Sequence, residues 1–444
     1  GISYTRDAAG RVVSSERSDG SSIEKSYTQQ GKLAWVAEYQ GSFRQDRKLV
    51  WSEGYVYTPA LQLAATIDNH GNLTLYEYDG AGRISTVQYA DNSGKPEFDL
   101  DERQRMGLDI TDPGRRFTPY QLGNELRDLI QERYASMIGQ SRGNSLFHSA
   151  AWKEAYFYDS AGNRESLQNP LGSIEYEYDR ANRLKRAGNR EYRYDPNGNL
   201  LEEKLPGDSS EYAYTPLNRV SSIVKASGVS DETMELEYRY DGLGRRISRS
   251  FTNPGMPGLN EFYAYYDFGH DLMSTSSVMH EKAGAIQRNT STASTHSRYR
   301  AAPESGSVVS PQRAISLARY VNADGNIAVA FSSTQDEFFT HDRLGSVRTS
   351  SSGQRYDYDA YGNAIGGHLP ELIGYTGQMH DRHSGLYDYG FRDYRPNLGR
   401  FITLDPVKDG TNWYAYVGNN PVAFIDPLGL CAAHPDGIGG MDQT

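Results

Sequence analysis

The feature that most restricts the fold is a tyrosine repeat. Tyr76-Glu77-Tyr78-Asp79 is followed by Gly82-Arg83-Ile84, and Tyr156-Phe157-Tyr158-Asp159 by Gly162-Asn163-Arg164. Further copies start at Tyr176, Tyr192, Tyr238 and Tyr356, and Tyr212-Ala213-Tyr214-Thr215 with Asn218-Arg219-Val220 is a degenerate one. Side chains alternate along a strand, so Tyr-x-Tyr puts both rings on one face. Asp then bonds its own backbone to start a turn, and Gly or Asn accepts the left-handed conformation. The next aliphatic or Arg residue begins the return strand. Each unit is therefore a β-hairpin that cannot bury its tyrosine face alone and has to stack on its neighbours.

Composition agrees. Tyrosine (34) outnumbers phenylalanine (14) and tryptophan (4), and 45 glycines supply many turns. Tyrosine packs its ring while keeping a hydroxyl for a partner, which suits broad sheets. The expected fold class is all-β. A net charge of −11 argues against nucleic acid as a partner. The single cysteine, Cys431, allows no internal disulfide and no cysteine-based zinc site. No apolar run approaches the ~20 residues of a membrane-spanning helix, and Ile327-Ala328-Val329-Ala330-Phe331 reads as a buried strand. The chain opens inside a repeat-like unit, so Gly1 is expected to be a cut end.

Two stretches interrupt the pattern. Residues 94–150 carry no tyrosine repeat but a helical run from Glu125 to about Ile138, capped by Asn124, giving a small helical insertion near 115–140. Residues 282–314, rich in Ser, Thr, Ala and Arg, read as a mobile loop. His380-Asp381-Arg382-His383 has a spacing that could bind metal on a helix, but its glycine- and turn-rich setting reads as a surface loop. Gly242-Leu243-Gly244 belongs to a repeat turn rather than to a dinucleotide-binding loop. No cofactor or metal is expected.

The C-terminal stretch carries an ordered motif series: Asp342-Arg343-Leu344-Gly345-Ser346-Val347-Arg348, Tyr375-Thr376-Gly377-Gln378, Gly385-Leu386-Tyr387-Asp388-Tyr389-Gly390-Phe391-Arg392, Gly399-Arg400-Phe401, Asp405-Pro406, and Asp426-Pro427-Leu428-Gly429-Leu430. With the repeats, this series resembles the Rhs-associated core of bacterial polymorphic toxins, a family that includes type VI Rhs effectors and the C components of Tc toxins. The resemblance implies YD-repeat hairpins coiled into a large hollow shell (a β-cocoon), closed by the C-terminal core. The expected organisation is shell over 1–93, insertion over 94–150, shell over 151–337, a self-cleaving core over 338–430, and the start of a variable toxin region at 431–444.

The resemblance also implies the chemistry. The core would cut its own chain after the terminal motif, between Leu430 and Cys431, by an aspartic-protease-type reaction in cis. Asp405 and Asp426 would share the acid–base work, with Arg392-Asp393 as an accessory pair. Two close carboxylates share a proton, so one can activate water while the other protonates the leaving nitrogen. Where many members read Arg-Tyr-Tyr-Asp-Pro, this chain has Arg392-Asp393-Tyr394-Arg395-Pro396, so the role of Asp393 stays open. Arg392 and Arg400 could equally pair with acidic neighbours inside the shell. Implied partners are the chain's own enclosed toxin, a secretion-system spike, and chaperone or immunity proteins, with assembly in the producer cytoplasm and delivery to target cells. The competing reading is a non-catalytic structural or adhesive YD-repeat protein that binds carbohydrate or cell surfaces.

Overall fold

The computed structural model describes residues 2–41, 47–69, 72–90, 152–228, 233–254, 258–265, 272–280, 313–323, 326–332, 336–365, 369 and 372–435. The helix expected near 115–140 lies outside these residues. So does the loop at 282–314, apart from Arg313 and Ala314, which open a strand.

From β1 (Ile2–Arg6) to β24 (Val347–Ser350), the described strands form one 24-stranded sheet. Each pairs antiparallel with its neighbours in sequence, so the sheet is a continuous meander. The segment 327–331 lies in the strand Asn326–Ser332, with Val329 and Ala330 buried.

The turn chemistry is as the repeat requires. The Asp79 amide donates to the Arg83 carbonyl (2.9 Å), Gly82 N–H donates back to the Asp79 carbonyl (3.0 Å), and Asp79 Oδ1 accepts from Ala81 and Arg83 N–H. Gly82 takes φ +79°, and Asn182 and Asn218 hold the same left-handed position in their turns. Immediately after each turn comes a bulge. Ser85, Lys185 and Ile247 are each skipped in the pairing of the two strands that flank them. A bulge at the same place in successive hairpins adds twist in the same sense each time, and this curls the sheet.

In five of the units the second tyrosine ties the hairpin to an earlier one. Tyr78, Tyr158, Tyr178, Tyr214 and Tyr240 donate their hydroxyls to the carbonyls of Leu63, Ile84, Arg164, Leu200 and Val220 (2.7–3.0 Å). Each accepting carbonyl belongs to the first residue of a return strand. The sheet curls far enough for Ile2 at its start to pack on Val329 and Phe338 near its end.

The described residues that follow β24, from 351 to 430, sit against one face of this curled sheet. They carry β25 (Asp357–Tyr358), β26 (Ala364–Ile365) and a four-stranded sheet of β27 (Met379–Asp381), β28 (Leu386–Asp388), β29 (Asp393–Arg395) and β30 (Arg400–Phe401). Their interior is aromatic: Tyr387, Tyr389, Tyr394, Phe401 and Tyr416 are fully buried and meet mostly edge-on or tilted. The core reaches the left-handed residue of one repeat turn after another. Asn420 donates to the Gly82 carbonyl, Asn419 to Gly162, Arg400 to Asn182 and Tyr414 to Gly198 (2.6–2.9 Å). The fold is an all-β shell wrapped on its own C-terminal core.

Candidate functional site

The site forms where three core segments meet. Arg392 lies just before β29, Asp405 follows β30, and Asp426 stands in the last turn. One guanidinium joins them: Arg392 Nη2 is 3.1 Å from Asp426 Oδ2 and 3.6 Å from Asp405 Oδ2. The Phe401 ring lies 3.6 Å beneath the guanidinium carbon and fixes its plane. All three charged side chains are buried.

Both aspartates head turns that share two features with the repeat, a carboxylate oxygen bound to a turn amide and a left-handed residue three positions on. Asp426 Oδ1 accepts from Leu430 N–H at 2.9 Å, four residues on, and Gly429 holds φ +70°. Asp405 Oδ1 accepts from Val407 N–H at 2.9 Å, Lys408 N–H donates to the Asp405 carbonyl, and Lys408 itself takes φ +56°. Asp-Pro in both cases presets the extended entry to the turn.

Asp426 also reaches the bond of interest. Its Oδ1 accepts from Cys431 N–H at 3.3 Å, and that nitrogen belongs to the Leu430–Cys431 peptide. The carbonyls that precede the bond are held in order: Pro427 by Gln378 Nε2 (3.1 Å), Leu428 by Phe391 N–H (3.0 Å) and Gly429 by Arg392 Nε (2.6 Å). Downstream, Ile425 and Ala433 exchange two backbone hydrogen bonds that close the loop around the bond. The segment is fixed on both sides.

Burial pushes the Asp426 carboxyl above its ordinary range, and the Arg392 guanidinium pulls it back down. Burial also lowers Arg392, against the pull of Asp405 and Asp426. The exposed Cys431 thiol is pushed up, by desolvation first and then by Asp426, Asp409 and Asp405.

Asp393 does not join this group. Its carboxylate takes Arg246 Nη2 at 2.7 Å, in a buried cluster where Arg219 and Arg246 also hold Asp388. Alternation along β29 explains the separation, since adjacent residues point to opposite sides. Burial raises the Asp393 carboxyl despite Arg246 and Arg219. Arg392 does pair with acidic neighbours, whereas Arg400 packs between the Tyr178 and Tyr414 rings and donates to the Asn182 carbonyl.

His380-Asp381-Arg382-His383 is a surface turn only in its second half, where Arg382 is exposed and His383 half-buried. His380 and Asp381 lie buried on β27, and Asp381 binds Arg249 and the Tyr238 hydroxyl. His380 falls to about 4 through burial; Asp381, which burial alone would raise, falls to about 2 because Arg249, the Tyr238 hydroxyl, Arg246 and the His383 amide together outweigh it. Among the described residues no cluster of three or more His, Cys, Asp or Glu is arranged to hold a metal. No helix among them is long and apolar enough to cross a membrane. Gln378, Phe391 and Trp413, whose carbonyl takes Arg392 Nη1, are site residues that motif reading missed. The sequence signal lay instead in the residue four positions after each turn aspartate.

Comparison with known proteins agrees with this architecture. The family model of the teneurin YD-shell matches residues 142–270, and that of the RHS repeat matches residues 57–95. The toxin protein Tse5 of Pseudomonas aeruginosa is 26% identical over 97% of this chain, which spans 31% of Tse5. The toxin subunit YenC1 of Yersinia entomophaga is 45% identical over 62 residues, covering 14% of this chain and 6% of YenC1. A chain of the Photorhabdus luminescens Tc holotoxin pore superposes over 99% of this chain with a TM-score of 0.52 and 17% identity, and this chain covers 20% of it. At that identity the likeness establishes the fold, and the chain corresponds to a minority of each relative.

Proposed function

The chain is an Rhs-type YD-repeat protein, and from that premise we propose that it is part of a toxin-enclosing shell whose core hydrolyses its own Leu430–Cys431 bond. In this reading the polypeptide downstream of Leu430 is the enclosed effector. The shell assembles in the producing cell and is delivered to a target cell by a secretion apparatus, with a spike, chaperone or immunity protein as partners.

One observation carries the proposal. Asp426 holds the amide of the scissile bond through Oδ1 and shares Arg392 with Asp405 through Oδ2. In this reading Asp405, which shares Arg392 with Asp426, takes a proton from a water that attacks the Leu430 carbonyl carbon. Asp426, whose carboxyl burial favours in its protonated form, returns a proton to the Cys431 nitrogen as the C–N bond breaks. The products are a Leu430 carboxylate and a Cys431 α-amine, and one water is consumed. Arg392 keeps the two carboxylates together and holds the Gly429 carbonyl, so the peptide is presented in one geometry.

The test is the mass of the denatured chain beside Asp405→Asn and Asp426→Asn. Wild type should lose residues 431–444 and both variants should stay whole. A wild type that stays whole for days at neutral pH would refute hydrolysis and leave a structural or adhesive YD-repeat shell.

A further inference from the structure

The chain contains many turns headed by aspartate, yet the proposed reaction selects one. Among the described residues, eight such turns share one arrangement: Asp7, Asp68, Asp79, Asp159, Asp179, Asp195, Asp241 and Asp359 each have Arg or Asn four positions later. In every one of them that side chain turns back onto the second carboxylate oxygen. Arg11, Arg83, Arg183 and Arg245 use Nε, and Asn72, Asn163, Asn199 and Asn363 use Nδ2, at 2.6–2.9 Å. Oδ1 meanwhile accepts backbone N–H groups, including that of the same Arg or Asn. Both carboxylate oxygens are thus engaged inside the turn, and Asp68 Oδ2 also takes a bond from a distant segment, Arg355 Nη2 at 2.5 Å, in addition to its Asn72.

The Asp426 turn keeps the first half of this arrangement and lacks the second. Oδ1 accepts from Leu430 N–H as in the repeats, but Leu430 has no donor to return to Oδ2. Oδ2 is therefore available to Arg392, which arrives from another segment. The Asp405 turn departs in the same way: Asp409 stands at its fourth position, and Asp405 Oδ2 faces the same Arg392.

We propose that Leu430, as well as carrying the scissile carbonyl, is the residue that selects this turn for cleavage. Its hydrocarbon side chain leaves Asp426 Oδ2 unclaimed, whereas the Arg or Asn of an ordinary repeat turn would hold the carboxylate within the turn. The inference rests on the hydrolysis proposed above. Asp342, with Ser346 at its fourth position, is a third turn without a returning side chain, but there the next amide, Val347 N–H, donates to the Gly374 carbonyl and not to the aspartate. A second oxygen left by its own turn to Arg392 and a captured scissile amide occur together at Asp426.

The experiment compares wild type with Leu430→Asn, Leu430→Arg and Leu430→Met, followed by intact mass over time on the full chain. Asn is close to Leu in size and adds an amide NH2 that can donate; Met keeps the side chain apolar. Leu430→Asn should slow cleavage at least tenfold, Leu430→Arg should slow it further, and Leu430→Met should cleave within about threefold of wild type. Residual cleavage by Leu430→Asn should also shift to lower pH, because the added donor favours the carboxylate, as Asn363 does for Asp359. Thermal unfolding of each variant reports whether the core is formed. If Leu430→Asn and Leu430→Arg cleave like wild type, or if Leu430→Met fails with them while folded, the inference is overturned and hydrolysis stands. If wild type itself stays whole, the underlying reaction is what fails.

Discussion

At the residue scale, Asp426 differs from the turn aspartates of the repeats by one missing neighbour, and the proposed reaction depends on that difference. Asp79 and Asp426 occupy the same turn position, yet the Asp79 carboxyl is lowered, through its bonds to Arg83 and the turn amides against its burial, while that of Asp426 is raised. The difference sets the expected pH dependence. If Asp426 must donate a proton, cleavage requires its acid form, so the rate should fall as pH rises through its raised pKa. Arg392→Gln removes the charge that opposes burial and also loosens the Gly429 carbonyl. The variant should therefore cleave about 10²-fold more slowly, in line with the loss of one well-placed donor. What remains should persist to higher pH than in wild type, because the acid form is then favoured further. Rates of bond loss measured by mass between pH 4 and 8 check both effects. An unshifted profile would remove Asp426 from the role of acid.

At the element scale, the hairpin is the unit of both construction and positioning. Its left-handed glycine is used in two ways, and the two can be separated. Gly10 and Gly198 have nearly the same φ (+81° and +83°), but a Cβ on Gly10 would meet nothing within 4 Å. A Cβ on Gly198 would stand 2.6 Å from Leu404 Cδ1 and 2.7 Å from the Tyr414 hydroxyl. Gly10→Ala should cost only the backbone penalty of about 1–2 kcal/mol. Gly198→Ala should cost at least about 1 kcal/mol more by overpacking, and should slow cleavage because Leu404 adjoins Asp405. Denaturant unfolding and cleavage rates of the two variants check this, and equal losses would mean that the turn does not support the site. The turns, the pairing of tyrosines and the all-β class were legible because each arises from local rules at fixed spacing. The return of Arg83 to Asp79 was legible too, had position four of each turn been compared. The placement of Asp393 was not: Arg246 and Asp388 reach it from residues far apart in sequence, and only the packed core brings them together. The stretch from His380 to His383 was misread for the same reason, since Tyr238, Arg249 and Phe251 reach it from far along the chain.

At the scale of the whole molecule, the core is both the end of the chain and the part that draws the repeats together. Bonds from Asn420, Asn419, Arg400 and Tyr414 to successive turn carbonyls fix the spacing of hairpins from Gly82 to Gly198. Cutting the chain after Leu430 breaks none of them, so the shell should remain folded after the reaction. The downstream piece is held as well. Ala433 keeps its two backbone bonds to Ile425, and His434 lies against Lys32 Nζ (2.6 Å) and edge-on to Phe424 (5.9 Å). Pro435 lines a cavity of about 770 Å³ beside the first three strands. Hydrolysis would therefore separate the covalent chain without at once separating its parts. Under native conditions the cleaved protein should weigh one water more than the intact chain, and denaturation should yield two pieces. Ala433→Pro removes the N–H that donates to Ile425 and should release residues 431–444 during gel filtration, while Lys32→Ala should weaken retention through the His434 contact alone. A cleaved wild type that emerges without this peptide would mean that these contacts do not outlast the bond. Release of the downstream chain would then come directly from the chemistry, with no need for the shell to open first.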